Sequence, residues 1–358
     1  MNSDAQYPVM RSIGCALPEN YYDQETLSTA LWNEWGGSDA GRARFDRLHR
    51  AVGVRGRHLA LTMEGYRALD SFAKSNQAWM EVASDLGAKA VASALFEAGL
   101  QPRDVDHVFF TTVTGISAPS LDARLINRMA MRSNIKRTPL FGLGCVGGAA
   151  GLARAADYLR AFPAETALLL SVEICSLTLQ LRDQSIANMI ASGLFADGAA
   201  AVVLMGSARP DCPRAPRIVA SKSIFFSDTE DMMGWRIVDS GFQVVLAAGI
   251  PDLVRDNLRA GVDSFLAEHR LSRRDINHWI AHTGGPKVLE AIQEALEIPK
   301  CALALSWRSL EAVGNISSAS VLFVAADFLK SGVARPGQYG VLLSMGPGFC
   351  GELVLLQW

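Results

Sequence analysis

Long apolar runs are missing from this chain of 358 residues. No stretch approaches the ~18 consecutive apolar residues that a membrane-spanning helix needs, so no membrane partner is expected. An excess of one charge is missing too. The 34 Lys and Arg residues stand against 36 Asp and Glu, a net of −2, which gives nucleic acid no electrostatic footprint. Cysteine is scattered: Cys15, Cys145, Cys175, Cys212, Cys301 and Cys350 form no Cys-x-x-Cys and no Cys/His cluster. Neither a metal site nor a disulfide framework is therefore expected. Met1–Met10 shows no basic-then-apolar leader pattern, so a reducing cytoplasm is the expected location. With 49% hydrophobic residues, the chain has ample material for a core.

What is present is a rhythm. Short apolar runs bounded by turns (Val105–Thr112, Ala167–Val172, Trp279–Ala281, Gly340–Ser344) predict buried strands. Between and around them, Ala78–Ala98, Ala149–Arg160, Ile250–His269, Pro286–Leu296 and Ser317–Lys330 read as helices. This alternation predicts a layered α/β architecture and leaves the sheet order open. A polar, proline-bearing connector, Gly206–Arg217, follows the apolar strand Asp197–Met205, and the chain ends in the same style with Gly340–Met345, a Gly-Pro-Gly turn and Gly351–Leu356. Two similar halves are expected, residues 1–206 and 207–358.

Three glycine-flanked junctions carry chemistry. Cys145 lies in Phe-Gly-Leu-Gly-Cys-Val-Gly-Gly-Ala-Ala-Gly, just before a small-residue helix. A helix N-terminus offers partial positive charge and free N–H groups, which favour thiolate over thiol. His282 closes the strand Trp279-Ile280-Ala281 and opens the turn Thr283-Gly284-Gly285-Pro286. An imidazole at a strand end can exchange a proton with a thiol or donate to a developing oxyanion. Asn315, in Val313-Gly314-Asn315-Ile316-Ser317-Ser318, can supply a second oxyanion donor. Taken singly, a buried structural cysteine, a satisfied core histidine and a helix N-cap account for the three. Taken together they read as one active site in the first half's cysteine and the second half's histidine and asparagine.

These segments resemble those of type III polyketide synthases, the chalcone-synthase-like branch of the thiolase superfamily. Gly193-Leu194-Phe195-Ala196-Asp197-Gly198, the His-x-Gly-Gly-Pro turn and Gly346-Pro347-Gly348 support the likeness, which runs from about Ile13 to the end. The resemblance implies a thiolase fold: duplicated halves in a five-layered αβαβα arrangement, with the site between them and the enzyme a homodimer. It implies a cysteine loaded from an acyl-CoA thioester and extended by decarboxylative Claisen condensation with malonyl-CoA. Loss of CO2 makes the enolate, so no base and no cofactor is expected beyond the CoA substrates. His282 and Asn315 would hold the thioester oxygen, and His282 would lower the Cys145 pKa as an imidazolium paired with thiolate.

The resemblance extends to the walls of the cavity. Phe195 matches a gatekeeping phenylalanine, or else is a core aromatic; the second gate falls on Val244, aliphatic here. Thr114, Cys175, Thr178 and Ser317 match cavity-lining positions, Cys175 as wall and not second nucleophile. Trp235 falls near the cavity, Ala118 reaches the neighbouring subunit's cavity, and Gly346, Pro347 and Gly348 form the substrate-side turn. Arg44, Arg47 and Arg50 share a helical face; this is a solvated strip or, for Arg44 and Arg47 with Lys287, a CoA phosphate site. Val244 and the small side chains at Ala118, Cys175 and Ser317 point to a medium or long aliphatic starter and an alkylpyrone or alkylresorcinol product. Tetrahydroxynaphthalene synthesis from malonyl-CoA alone is the alternative. Trp235 counts against it, because such enzymes carry tyrosine nearby. A carrier-protein-dependent ketoacyl synthase and a catalytically dead scaffold are the remaining readings.

Overall fold

The computed structural model describes residues 7–213 and 215–358. The apolar runs become strands of a single nine-stranded sheet. Their order is Ile276–Ala281, Tyr339–Gly346, Cys350–Gln357, Arg217–Phe225, Val9–Ala16, Asp197–Met205, Thr166–Ile174, His107–Thr112 and Lys136–Phe141. Reading outward from the middle, each half begins with its first strand, adds two antiparallel neighbours, then continues in parallel. The halves meet where Val9 pairs with Arg217. One topology has thus been used twice, as expected of a thiolase fold.

Thr166–Ile174 and Asp197–Met205 are buried at every position, which requires cover on both sheet faces. Phe72–Ala98 packs outside the first half's sheet; Ile250–Glu268 and Pro286–Leu296 pack outside the second. Between the two halves lie Gly147–Ala161 and Ser320–Ser331, whose Ala153, Leu152, Val321 and Leu322 share one core with the inner faces of both halves of the sheet. The result is five layers. The central helices are rich in glycine, alanine and serine because backbone must approach backbone there: a β-carbon on Gly148 would lie 2.2 Å from the carbonyl oxygen of Ser318.

Helix Ser320–Ser331 starts three residues later than expected. Ser317 has a left-handed φ of 46° and leads a 3-10 turn, Ser317–Ala319. The hairpin Met233–Val238 with Gly241–Leu246 pairs Trp235 with Val244 and was not evident from the residue pattern. No helix among the described residues is long and apolar enough to cross a membrane.

Candidate active site

Both central helices point their N-terminal ends at one place. Cys145 sits in the 3-10 turn Gly144–Val146 that leads into Gly147–Ala161. Asn315 and Ser317 precede Ser320–Ser331. The Cys145 thiol donates to Ser317 Oγ at 3.8 Å. Asn315 Oδ1 accepts from the Ser317 amide at 2.8 Å and from Ser320 Oγ at 3.3 Å, which fixes the amide plane and leaves Nδ2 as its free end.

The strand Tyr339–Gly346 holds the Cys145 turn and His282 side by side. Ser344 Oγ donates to the Cys145 carbonyl at 2.6 Å, and the adjacent Leu343 carbonyl accepts the His282 amide at 3.0 Å. The His282 ring is buried, and neither of its nitrogens has a hydrogen-bond partner among the described residues. Gly346 fits tightly here: a β-carbon would sit 2.6 Å from the Val146 nitrogen and 2.9 Å from the Leu143 carbonyl. The Gly-Pro-Gly turn therefore buttresses the cysteine turn, and Pro347 is its member that lines the cavity.

Electrostatically, the site differs from the expected thiolate–imidazolium pair. Burial pushes the Cys145 thiol up to about 12, against smaller downward pulls from the Ser317 and Asn315 side chains. Burial alone holds the His282 imidazolium down to about 3. Desolvation thus favours neutral thiol and neutral imidazole, and the helix N-terminus opposes it only at the sulfur.

Two chambers adjoin. The one at the thiol, about 30 Å³, is walled by Val113, Gly144, Cys145, Cys175, Phe195, Met233, Trp235, Val244, Ser317 and Pro347 among others. A larger one, about 140 Å³, lies beyond Cys175, Phe195, Trp235 and Val244, which border both. Thr178 lines only the larger. Thr114 corrects an expectation. Its hydroxyl donates to Glu173 Oε2 at 2.9 Å and accepts from the Ile174 amide at 2.9 Å, so it stands behind the wall and Val113 takes its place. Ala118 is exposed beside Pro119 and lines neither chamber of its own chain; Gly346 and Gly348 also lie off the lining.

Glu173 is the site group that sequence reading missed. It accepts from Val113 N at 3.1 Å, from Thr114 Oγ and from Ser318 Oγ, and burial raises its carboxyl to about 7. A lone acid inside the apolar run Leu168–Ile174 was the available signal.

Arg44, Arg47 and Arg50 are exposed on helix Asp39–Ala51, and none forms an ion pair among the described residues. The neighbouring Arg42 instead pairs with Asp46 at 2.8 Å. A β-carbon on Gly53, just past that helix, would lie 3.4 Å from Pro286 Cγ, which brings exposed Lys287 beside the same helix end.

Comparison with known proteins agrees over the whole chain. The family model of the N-terminal domain of chalcone and stilbene synthases matches residues 3–208, and that of their C-terminal domain matches residues 217–358. A 1,3,6,8-tetrahydroxynaphthalene synthase of Streptomyces peucetius subsp. caesius is 52% identical over 351 residues, covering 97% of this chain and 92% of that protein. A 3,5-dihydroxyphenylacetyl-CoA synthase of Streptomyces toyocaensis is 30% identical over 357 residues, covering 98% and 90%. Among solved structures, the 1,3,6,8-tetrahydroxynaphthalene synthase of Streptomyces coelicolor A3(2) superposes with a TM-score of 0.92 at 28% identity, covering 98% of this chain and 99% of that one. PKS-I of the brown alga Ectocarpus siliculosus gives 0.93 at 26% identity over all of both chains.

Proposed function

The chain belongs to the chalcone and stilbene synthase family and is a type III polyketide synthase, and from that premise we propose that it makes 1,3,6,8-tetrahydroxynaphthalene from malonyl-CoA alone. The observation that carries this reading is the 52% identity, over nearly its whole length, to a synthase of that name. The small chamber on the thiol, bordered by Trp235, suits a short starter.

The site chemistry in this reading rests on Cys145, His282 and Asn315. Cys145 attacks a malonyl thioester carbon, its proton passes to His282, and CoA leaves as thiol after taking that proton back. A second malonyl-CoA then loses CO2, and the electron pair of the broken C–C bond moves into a thioester enolate. His282 and Asn315 Nδ2 stabilise its oxygen. The enolate carbon attacks the Cys145-bound carbonyl, the C–S bond breaks, and the lengthened chain remains on CoA for recapture. CO2 loss supplies the nucleophile, so the cycle calls for no metal or redox cofactor. Arg44, Arg47 and Lys287 hold the CoA phosphates, their exposure and lack of acidic partners among the described residues supporting that role.

An aliphatic starter with an alkylpyrone or alkylresorcinol product is the second reading, favoured by the larger chamber. Leu27, Ala30, Leu31, Leu59 and Met63 give it an apolar wall. The same proposal takes the enzyme as a cytoplasmic homodimer. Among the described residues the outer strand Lys136–Phe141 pairs on one edge only, and Phe141 is 57% exposed. A second copy along that edge would bury it and draw Ala118 towards the other chamber.

Purified protein given malonyl-CoA, with and without acyl-CoA starters from acetyl to stearoyl, decides between the readings by mass spectrometry beside a Cys145→Ala control. The naphthol from malonyl-CoA alone is expected. No product without an acyl starter, with pyrones or resorcinols peaking at one chain length, would favour the second reading. Turnover only with added carrier protein would overturn both.

A further inference from the structure

Arg57 is a buried guanidinium for which the chemistry above has no use. It stands on the short strand Gly56–Leu59, 4% exposed, where the larger chamber meets the helix Ile186–Leu194. Its Nη1 donates twice, to the Ser192 carbonyl at 2.7 Å and to the Phe195 carbonyl at 2.8 Å. These are carbonyls at the C-terminal end of that helix, where the backbone dipole is negative and acceptors lack intrahelical partners. The buried carboxylate of Asp197 supplies the favourable field, and the group keeps its charge, with burial lowering its pKa only to about 10.

The clamped segment does not end at Phe195. Leu194 O accepts from the Asn315 amide at 2.9 Å, and the Ala196 amide donates to Asn315 O at 2.8 Å, a parallel bridge centred on Phe195 and Asn315. Gly314, with φ 76°, brings the backbone just before Asn315 against Arg57: a β-carbon there would lie 3.3 Å from Arg57 Cδ and 2.9 Å from Leu194 O. One cation thus fixes the backbone that carries both an aromatic wall residue and an amide donor.

We propose that Arg57 is a positioning residue: its fork on the Ser192 and Phe195 carbonyls sets the Phe195–Asn315 bridge, and so holds the gate side chain and the Asn315 amide in register with Cys145. Lysine keeps the charge and carries N–H donors enough for both carbonyls, but its shorter side chain ends before the position that Nη1 occupies, so it cannot reach both. The proposal rests on the polyketide synthase reading for its activity readout, though not for its structural one.

Arg57→Gln and Arg57→Lys should be compared with wild type for rate of Cys145 acylation by malonyl-CoA, rate of malonyl-CoA decarboxylation, and ratio of truncated lactone to full-length product. All are normalised to the folded fraction. Displacing a catalytic group by ~1 Å costs about 10²-fold, so decarboxylation should fall at least tenfold while acylation changes less than threefold, and truncated product should rise. Equal losses in acylation and decarboxylation would reduce Arg57 to a structural residue, and no loss would remove its role altogether. If both variants fail to fold, amide hydrogen exchange of the wild type tests the same point. The Ala196 and Asn315 amides should exchange as slowly as the core of Asp197–Met205, and fast exchange at either would overturn the clamp. A wild type that is inactive towards malonyl-CoA, yet protected at these amides, would overturn the functional reading alone.

Discussion

Gly148→Ala isolates the demand that the fold places on the active site. The new methyl carbon would meet the Ser318 carbonyl oxygen at 2.2 Å, whereas real β-carbons essentially never come within 3.0 Å. The two central helices must therefore separate by about 0.8 Å or more at that point. Overpacking of this kind costs about 1–3 kcal/mol. Alanine returns at most about 1 kcal/mol in helix propensity, so the clash wins and the melting temperature should fall by a few degrees. Activity should fall much further. Gly148 follows Cys145 by three residues and Ser318 follows Asn315 by three, so the separation falls between Cys145 and Asn315. A displacement of that size corresponds to about 10²-fold in rate. Thermal unfolding and malonyl-CoA turnover, measured well below the transition, give the two numbers. A folded Gly148→Ala enzyme with turnover within a factor of two of wild type would refute the claim that contact between the central helices sets the catalytic geometry.

Alkylation of Cys145 by iodoacetamide, followed by peptide mass spectrometry, should accelerate about tenfold per pH unit from pH 7 to 9 without levelling, because burial holds the thiol far above neutrality. A plateau near pH 7 would mean a thiolate–imidazolium pair after all. Asn315→Ala should impair decarboxylation while leaving Cys145 loading measurable; normal extension would remove its assigned role. Charge reversal in Arg47→Glu should raise the apparent KM for malonyl-CoA with kcat nearly unchanged, and an unchanged KM would return the arginine face to plain surface. Glu173 has its carboxyl raised from 4.5 to about 7. The folded state therefore keeps a proton that the unfolded chain has lost, and wild type should lose stability relative to Glu173→Gln as pH rises between those values, by on the order of 3 kcal/mol. Urea melts of both proteins from pH 4.5 to 8 check this, and parallel curves would show that Glu173 titrates normally.

The residues themselves made much of this legible. Apolar runs and turn residues located the strands, and the helices Ile250–Glu268 and Pro286–Leu296 lie within a residue of where their pattern placed them. Cys145, His282 and Asn315 were marked by local features, glycines at the junction of a strand or turn with a helix, and such junctions are encoded by neighbours in the chain. The left-handed backbone at Ser317, by contrast, carries no mark in its neighbours, and the Ser318 carbonyl beside it meets Gly148, 170 residues away in sequence.

Composition and local pattern alone determined that this is a layered α/β protein with a cysteine near a helix start, since both follow from periodicity and turn chemistry within short windows. Tertiary structure decided what no window contains. It paired the two halves at Val9 and Arg217, turned Thr114 away from the cavity and Val113 into it, buried Glu173 and Arg57 beside the site, and set the titration of Cys145 and His282 through burial. Desolvation and close packing depend on every segment that arrives at a point, and the sequence around a residue specifies only one of them.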